Sequence, residues 1–408
     1  MPVWHEATRD LVKQGRLVVL GLTQEQHADR CRLFAQWKRF DWPILHDPIN
    51  VFQSRAVPIV VAIDEHGIVR SVRPRPDSFE RDFLKRTFKD DSPGGVKLIV
   101  DKKDLRLLAE AARSTGTARP WRDYADALVL WGGPSRVDDA IAAYTQAVKK
   151  HVKDSDSLFR LGVAFRMRYE STSRRAGDFQ RAVDHWGQAL ARDPNQYIWR
   201  RRIQQYGPRL DKPYPFYDWV KRAVAEINSR GDTPVALVVQ PGGAEIARPA
   251  RQFIVERPKQ TSPDPRGRIN RDKVRLIETE VAVVPATGSA GRDFRIHVTF
   301  IPSRKLKAHW NNESAPLRLW VDAPKGWRVS RRLLVARQGP AAESKETRRL
   351  DFEVKAPSTA TGITKLKAYA LYYVCEEADG TCLFLRQDIT LEIRAAEVAT
   401  EKHPSRKR

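Results

Sequence analysis

The sequence predicts a multidomain chain, with an α/β segment first, helical hairpins next and an antiparallel β-rich region last. Three observations predict it. Helix and strand patterns alternate over 1–95, helical periodicity dominates 96–215, and apolar or alternating segments separated by turn residues fill 271–397. The chain has 408 residues, more than one hydrophobic core ordinarily serves. Its 41% hydrophobic content is that of packed cores rather than disorder. No apolar run approaches the roughly eighteen residues of a membrane-spanning helix. The opening MPVWHEATRD has neither a basic n-region nor an apolar h-region, so no signal peptide is expected in the sequence as written.

Over 1–95, a helix is expected from Val3 to Lys13, ended by Gly15 as a left-handed cap. Arg16–Gly21 reads as a buried strand. Thr23 with Gln26 three residues on is a capping box, opening a helix that runs to Lys38. Trp42–Leu45 is extended. Val57–Ile63 reads as a second buried strand, Asp64-Glu65-His66-Gly67 as a turn, and Ile68–Val72 as the returning strand. A helix over Asp77–Phe88 closes the segment.

The helical region 96–215 carries a repeat. Leu158, Leu161, Gly162 and Phe165 sit on one expected helix. Ala182, Trp186, Ala189 and Pro194 sit on the next and its exit. Ala140, Tyr144 and Ala147 echo the second set 42 residues earlier. Small residues at Ala182 and Ala189 let helices approach, and Trp186 fills the space between them. An ordinary amphipathic hairpin gives similar spacing. The positions resemble a tetratricopeptide repeat, whose frame is about 34 residues, with an insert of about eight in the turn over Tyr169–Ala176. Such repeats imply a groove for protein partners.

Residues 216–270 are polar and broken by Pro241-Gly242-Gly243, Pro249, Pro258 and Pro263, and read as a linker with one strand over Val235–Val239. In 271–397 strands are expected at Val274–Val284, Phe294–Phe300, Leu317–Val321, Leu350–Val354, Thr364–Val374 and Leu383–Ile393, spaced as in a β-sandwich with long loops. Residues 398–408 form a charged tail.

Two places could carry chemistry. The first is Val57-Pro58, because a proline opening an apolar strand cannot donate to the sheet. With the strand, helix, Asp47 loop and Asp64–Gly67 hairpin around it, residues 1–95 resemble a thioredoxin-like domain of the redoxin or TlpA type. The resemblance implies a cis-proline at Pro58 that, with Val57, shapes a groove for substrate backbone. It also implies a C-x-x-C pair at the start of the first long helix, where the helix dipole favours the thiolate. That pair and the strand before it are absent here. Either the coding sequence starts further upstream or the lineage lost the motif. The upstream start is the expectation, because a domain without its first strand exposes a raw sheet edge.

The second is Cys375 and Cys382, two of only three cysteines. Asp379-Gly380 is a hairpin turn signal, so the two cysteines face each other near its mouth, within disulfide range. Leu371–Cys375 with Cys382, His309-Trp310 and Pro324–Trp327 resemble the DsbD N-terminal-like β-domain. That resemblance implies a dithiol that exchanges electrons with a thioredoxin partner; a static clip is the other reading. Glu376, Glu377 and Asp379 raise the thiol pKa values and work against a strong nucleophile. Cys31 falls inside a helix, away from its N-terminus, and reads as an inert thiol.

The formal charge is +23, spread along the chain, with Arg200-Arg201-Arg202 and Arg406-Lys407-Arg408 as its densest clusters. Without a recognition helix or RNA-binding signature beside them, solvated faces account for it better than nucleic acid. Nine histidines show no cluster in sequence. No P-loop, G-x-S-x-G, H-E-x-x-H or dinucleotide fingerprint occurs, and the cysteine spacing does not suit zinc. The expectation is a thiol–disulfide oxidoreductase family chain without its own C-x-x-C and without a cofactor, or else a tetratricopeptide scaffold that binds protein partners. A dithiol would suit an oxidising compartment.

Overall fold

The computed structural model describes residues 2–91, 104–255, 260–376 and 382–396. The Asp379-Gly380 turn, Glu377 and the tail 398–408 lie outside them. The chain divides into two compact units. One comprises Met1–Ser171, Gln188–Arg200 and Trp219–Gln240; the other comprises Thr172–Gly187, Arg201–Asp218 and Pro241–Arg408. It is a multidomain α/β protein with a sheet-rich C-terminal region.

The first elements are α1 (Pro2–Lys13), β1 (Gly21–Thr23), α2 (Ala28–Lys38), β2 (Ile44–His46), β3 (Val61–Ile63) and β4 (Val69–Val72), then a π-helical turn, Glu80–Leu84. Gly15 takes φ +68°, and the N–H groups of Gly15 and Arg16 reach back to the carbonyls of Val12 and Leu11. This conformation suits a residue without Cβ. The Thr23–Gln26 capping box does not form. Thr23 ends β1, and Glu25 accepts from the N–H groups of Gln26 and His27 instead (2.8 and 3.4 Å), so α2 begins at Ala28. The helix expected over Asp77–Phe88 contracts to the π-helical turn.

The strands differ from expectation more instructively. β1 pairs with β2 in parallel and β3 with β4 antiparallel, as two separate two-stranded sheets. Leu17 and Ala62 pack against Trp4, Phe79 and Phe83. Their neighbours Val18, Leu20, Val61 and Ile63 are exposed, Val18 by 79%. Successive side chains point to opposite faces of a strand. Helix and π-turn cover one face only, so the strand expected over Arg16–Gly21 starts only at Gly21, the one expected over Val57–Ile63 only at Val61, and both runs are half-buried.

Next come α3 (Leu105–Ser114), α4 (Ala118–Trp131), α5 (Val137–Lys150), α6 (Ser155–Tyr169), α7 (Asp178–Arg192), α8 (Tyr197–Gln204) and α9 (Val220–Ser229). Helices α3 to α6 pack successively. Ala140, Tyr144 and Ala147 of α5 are fully buried. The Tyr144 hydroxyl donates to Asp126 of α4 (2.7 Å), and Arg160 of α6 pairs with the other oxygen of that carboxylate. Burial raises the pKa of Asp126 despite its cationic neighbour. The broken stretch 216–270 holds α9. Val235–Val239 joins no strand, and its N–H groups bond to side chains of α2: Val235 to Gln36 (2.9 Å) and Val238 to Asp29 (2.7 Å).

The second unit is built on β5 (Ile277–Val284), β6 (Gly288–Ser289), β7 (Asp293–Pro302), β8 (His309–Asn311), β9 (Arg318–Asp322), β10 (Arg328–Val329), β11 (Leu333–Val335), β12 (Glu343–Ser344), β13 (Arg348–Lys355), β14 (Gly362–Cys375) and β15 (Cys382–Ala396). One sheet has the order β10-β13-β7-β5. The other runs β11-β9-β14-β15-β6, with β8 on β14 and β12 on β8. Every pairing is antiparallel except β15 with β6. Both sheets contribute to one core, through Phe294, Ile296, Val298 and Phe300 of β7, Leu350, Phe352 and Val354 of β13, and Leu366, Ala370, Tyr372 and Val374 of β14.

The opposite face of β7 is charged and also buried, and Asp351 and Glu353 of β13 pair with it. Arg295 bonds Glu353 (3.1 Å), and His297 sits between Asp351 (2.7 Å) and the Tyr206 carbonyl (2.8 Å), to which its Nε2–H donates. Gly207 passes over Arg295 at φ +111°, where a Cβ would lie 2.4 Å from the arginine Cδ. Only glycine fits there. Lys212 donates from Nζ to the Ala244 carbonyl, and burial, with Arg295 nearby, lowers its pKa to about 8.

Candidate redox site

β14 and β15 form a long hairpin in unbroken register, from Gly362 opposite Ala395 to Cys375 opposite Cys382. Ladder partners in an antiparallel pair put their side chains on the same face, a few ångströms apart. The last pair is closed covalently: Cys375 and Cys382 form a disulfide, with Cα atoms 4.0 Å apart. Its two ends differ. Cys375 is buried, at 2% exposure, while Cys382 is exposed.

A third residue belongs to this row. β8 runs along the other edge of β14, with His309 opposite Cys375 and Trp310 opposite Val374. Trp310 and Val374 point into the core, so His309 and Cys375, one residue along, share the opposite face. His309 is buried at 7% exposure. Its Nε2 lies 3.3 Å from a carboxylate oxygen of Glu343 on β12, and its Nδ1 has no hydrogen-bond partner among the described residues. Scanning the sequence for histidine clusters misses His309 as a neighbour of Cys375, because the two are far apart in the chain and only the sheet joins them.

The other expected positions lie elsewhere. Val57 and Pro58 form an exposed bend before β3, joined by a cis peptide bond. Cys31 lies inside α2 with its Sγ donating to the Thr23 hydroxyl (3.5 Å). Burial foremost, then Glu25, pushes its pKa up to about 12, so it holds its proton at neutral pH. Leu158, Leu161, Gly162 and Phe165 are buried on α6; Ala182, Trp186 and Ala189 are fully buried on α7, and Pro194 follows that helix. Among the described residues no group of His, Cys, Asp and Glu side chains is arranged to hold a metal ion, and no helix is long and apolar enough to cross a membrane.

No protein-family profile matches the chain, and no curated protein matches it. Solved structures align to part of it. One, described as AvmM, which catalyses macrocyclization in alchivemycin A biosynthesis, shares 12% identity over 33% of this chain and 98% of its own, with a TM-score of 0.21. Another, AggA, the major subunit of aggregative adherence fimbriae type I from Escherichia coli, shares 14% identity over 30% of this chain and 95% of its own, with a TM-score of 0.18. Scores this low carry no argument about fold or function.

Proposed function

We propose that the protein is a thiol–disulfide oxidoreductase family member whose working dithiol in this chain is Cys375–Cys382. The observation that carries the reading is the bridge across the end of β14 and β15, with one of its cysteines exposed and the other buried. Exposure lets a partner thiolate reach a disulfide sulfur, as exchange requires. Within this reading the front segment is a thioredoxin-like (redoxin/TlpA-type) domain without a C-x-x-C, with Val57 and Pro58 lining its groove. The middle is a tetratricopeptide region that engages protein partners, and the last part a DsbD N-terminal-like β-sandwich.

The test is thiol labelling and disulfide reduction on the folded full chain. Labelling of Cys375 and Cys382 should require a reductant, and the chain should reduce insulin disulfides only weakly, because no helix-capped thiolate drives the attack. Free labelling of both thiols in air would sink the proposal, as would a bridge that resists dithiothreitol until the chain unfolds.

The second reading is a non-catalytic scaffold. It is supported by the full burial of Ala182, Trp186 and Ala189, positions the repeat reading places between helices. Replacing both Cys375 and Cys382 by serine separates the two: a scaffold keeps its partners, whereas a dithiol relay loses its activity.

A further inference from the structure

Three side chains stand in one row across three neighbouring strands: His309 on β8, Cys375 on β14 and Cys382 on β15. The row is graded in exposure. Cys382 faces solvent, while Cys375 and His309 are buried. Its inner end carries an imidazole braced by Glu343 on Nε2 and left without a hydrogen-bond partner on Nδ1 among the described residues.

We propose that His309 takes up the charge released when the bridge opens, which makes Cys382 the sulfur that is attacked and Cys375 the one that leaves. The inference rests on the dithiol reading above. The thiolate of a protein dithiol attacks the Cys382 sulfur. A mixed disulfide forms between the two, the Cys375–Cys382 bond breaks, and its electron pair leaves on Cys375 as a thiolate. The imidazole beside that thiolate, in its protonated form, stabilises it and can hand it the proton. The partner's second thiolate then attacks its own sulfur in the mixed disulfide and releases Cys382, which takes a proton from water. The partner's two thiols become a disulfide, and this chain gains the two electrons and two protons.

The physical reason lies in the leaving group. Exchange speeds up as the departing thiol becomes a better anion, and an adjacent imidazolium is among the groups that make it so. Without a cation, a thiolate leaving into a buried site bears the full desolvation cost of its charge. Among the described residues the charged groups near the row include His309, Glu343 on β12, Lys345 directly after β12 and Glu376 just beyond β14. Of these, His309 is the buried one that stands opposite Cys375, where a proton on its ring lies beside the departing sulfur.

The test uses the folded full chain with reduced glutathione as the probe, quenched by acid and alkylation. Peptide mapping should place the first glutathione adduct on Cys382. The rate of bridge opening should fall roughly tenfold in His309→Gln, and its dependence on pH should flatten, since a glutamine carries no exchangeable charge. Glu343→Gln, at an exposed position, should lower the rate in the same direction by a smaller factor. Circular dichroism checks that each variant is folded.

Should His309→Gln fail to fold, the adduct position and Glu343→Gln decide the matter. An adduct on Cys375 overturns the proposal. So does an unchanged rate and pH profile in His309→Gln, or an unchanged rate in Glu343→Gln when that is the only folded variant. In each of these cases the dithiol reading survives. If glutathione and dithiothreitol both leave the natural bridge closed in the folded chain, the dithiol reading and the inference fall together.

Discussion

The strands of the two units have opposite fates. β3 and the residues before it are apolar on both faces, yet one face is bare: Val57, Ile59, Val61 and Ile63 are all exposed by 40% or more. β7 is apolar on one face and carries Arg295, His297 and Thr299 on the other, yet both its faces are buried. Residue type and burial therefore part company in both directions. What decides is the number of layers laid against a strand and whether polar groups find partners there. β7 is covered by the second sheet on one side, and on the other by Tyr206 and Arg209, whose backbone and side chains pair with His297 and Glu353. The front strands have a helix and a π-turn on a single side.

Three measurements would break or sharpen this contrast. The largest effect should come from paired truncations. Phe300→Ala empties a fully buried position and should cost about 3–5 kcal/mol, read as a lower urea midpoint for the second unit. Ile63→Ala, at an exposed position, should cost under about 0.5 kcal/mol. Similar costs at the two sites would erase the contrast.

A smaller effect concerns the buried charge of Lys212. Its folded pKa is about 8, below the ordinary lysine value near 10.4. Between those values the unfolded chain holds more protons than the folded one, so stability rises with pH through this window and the penalty is complete below it. Relative to Lys212→Met, the natural chain should gain about 1–2 kcal/mol between pH 8 and 10, measured by urea unfolding at each pH. A difference independent of pH would show that this lysine is not desolvated.

The smallest change in stability should accompany a large change in surface chemistry. Val61→Lys with Ile63→Glu should leave the unfolding midpoint within about 0.5 kcal/mol of the natural chain and weaken the fluorescence of bound anilinonaphthalene sulfonate. Unchanged dye binding would mean that this face is covered in solution.

The sequence made the second unit legible where information is local. The hairpin carrying Cys375 and Cys382 could be read because its two strands are neighbours in the sequence, and β14 and β15 extend those expected strands by only a few residues at each end. The charged row Arg295, His297, Asp351 and Glu353 was not legible, since its partners are Tyr206 and Arg209 from a segment far upstream. His309 beside Cys375 was missed for the same reason: cross-strand register over long separations is set by the whole sheet. At the front, the Thr23–Gln26 spacing pointed to a cap, but the strand pairing of Thr23 with His46 outcompeted it. Val235–Val239 had strand composition, yet found α2 side chains rather than a strand edge.

The length of the β14–β15 hairpin has a mechanical side. At about 3.4 Å per residue its fourteen-residue strand β14 spans roughly 45 Å. Cross-strand hydrogen bonds run perpendicular to such a ribbon. A pull that separates its open end, at Gly362 and Ala395, loads them one after another as a zip does, and the covalent row at the far end is where the opening stops. With the bridge intact, the slack released ends at Cys375 and Cys382. Once it is reduced, the opening no longer stops at that pair, so the redox state of two sulfurs would be felt under tension as a difference in extended length.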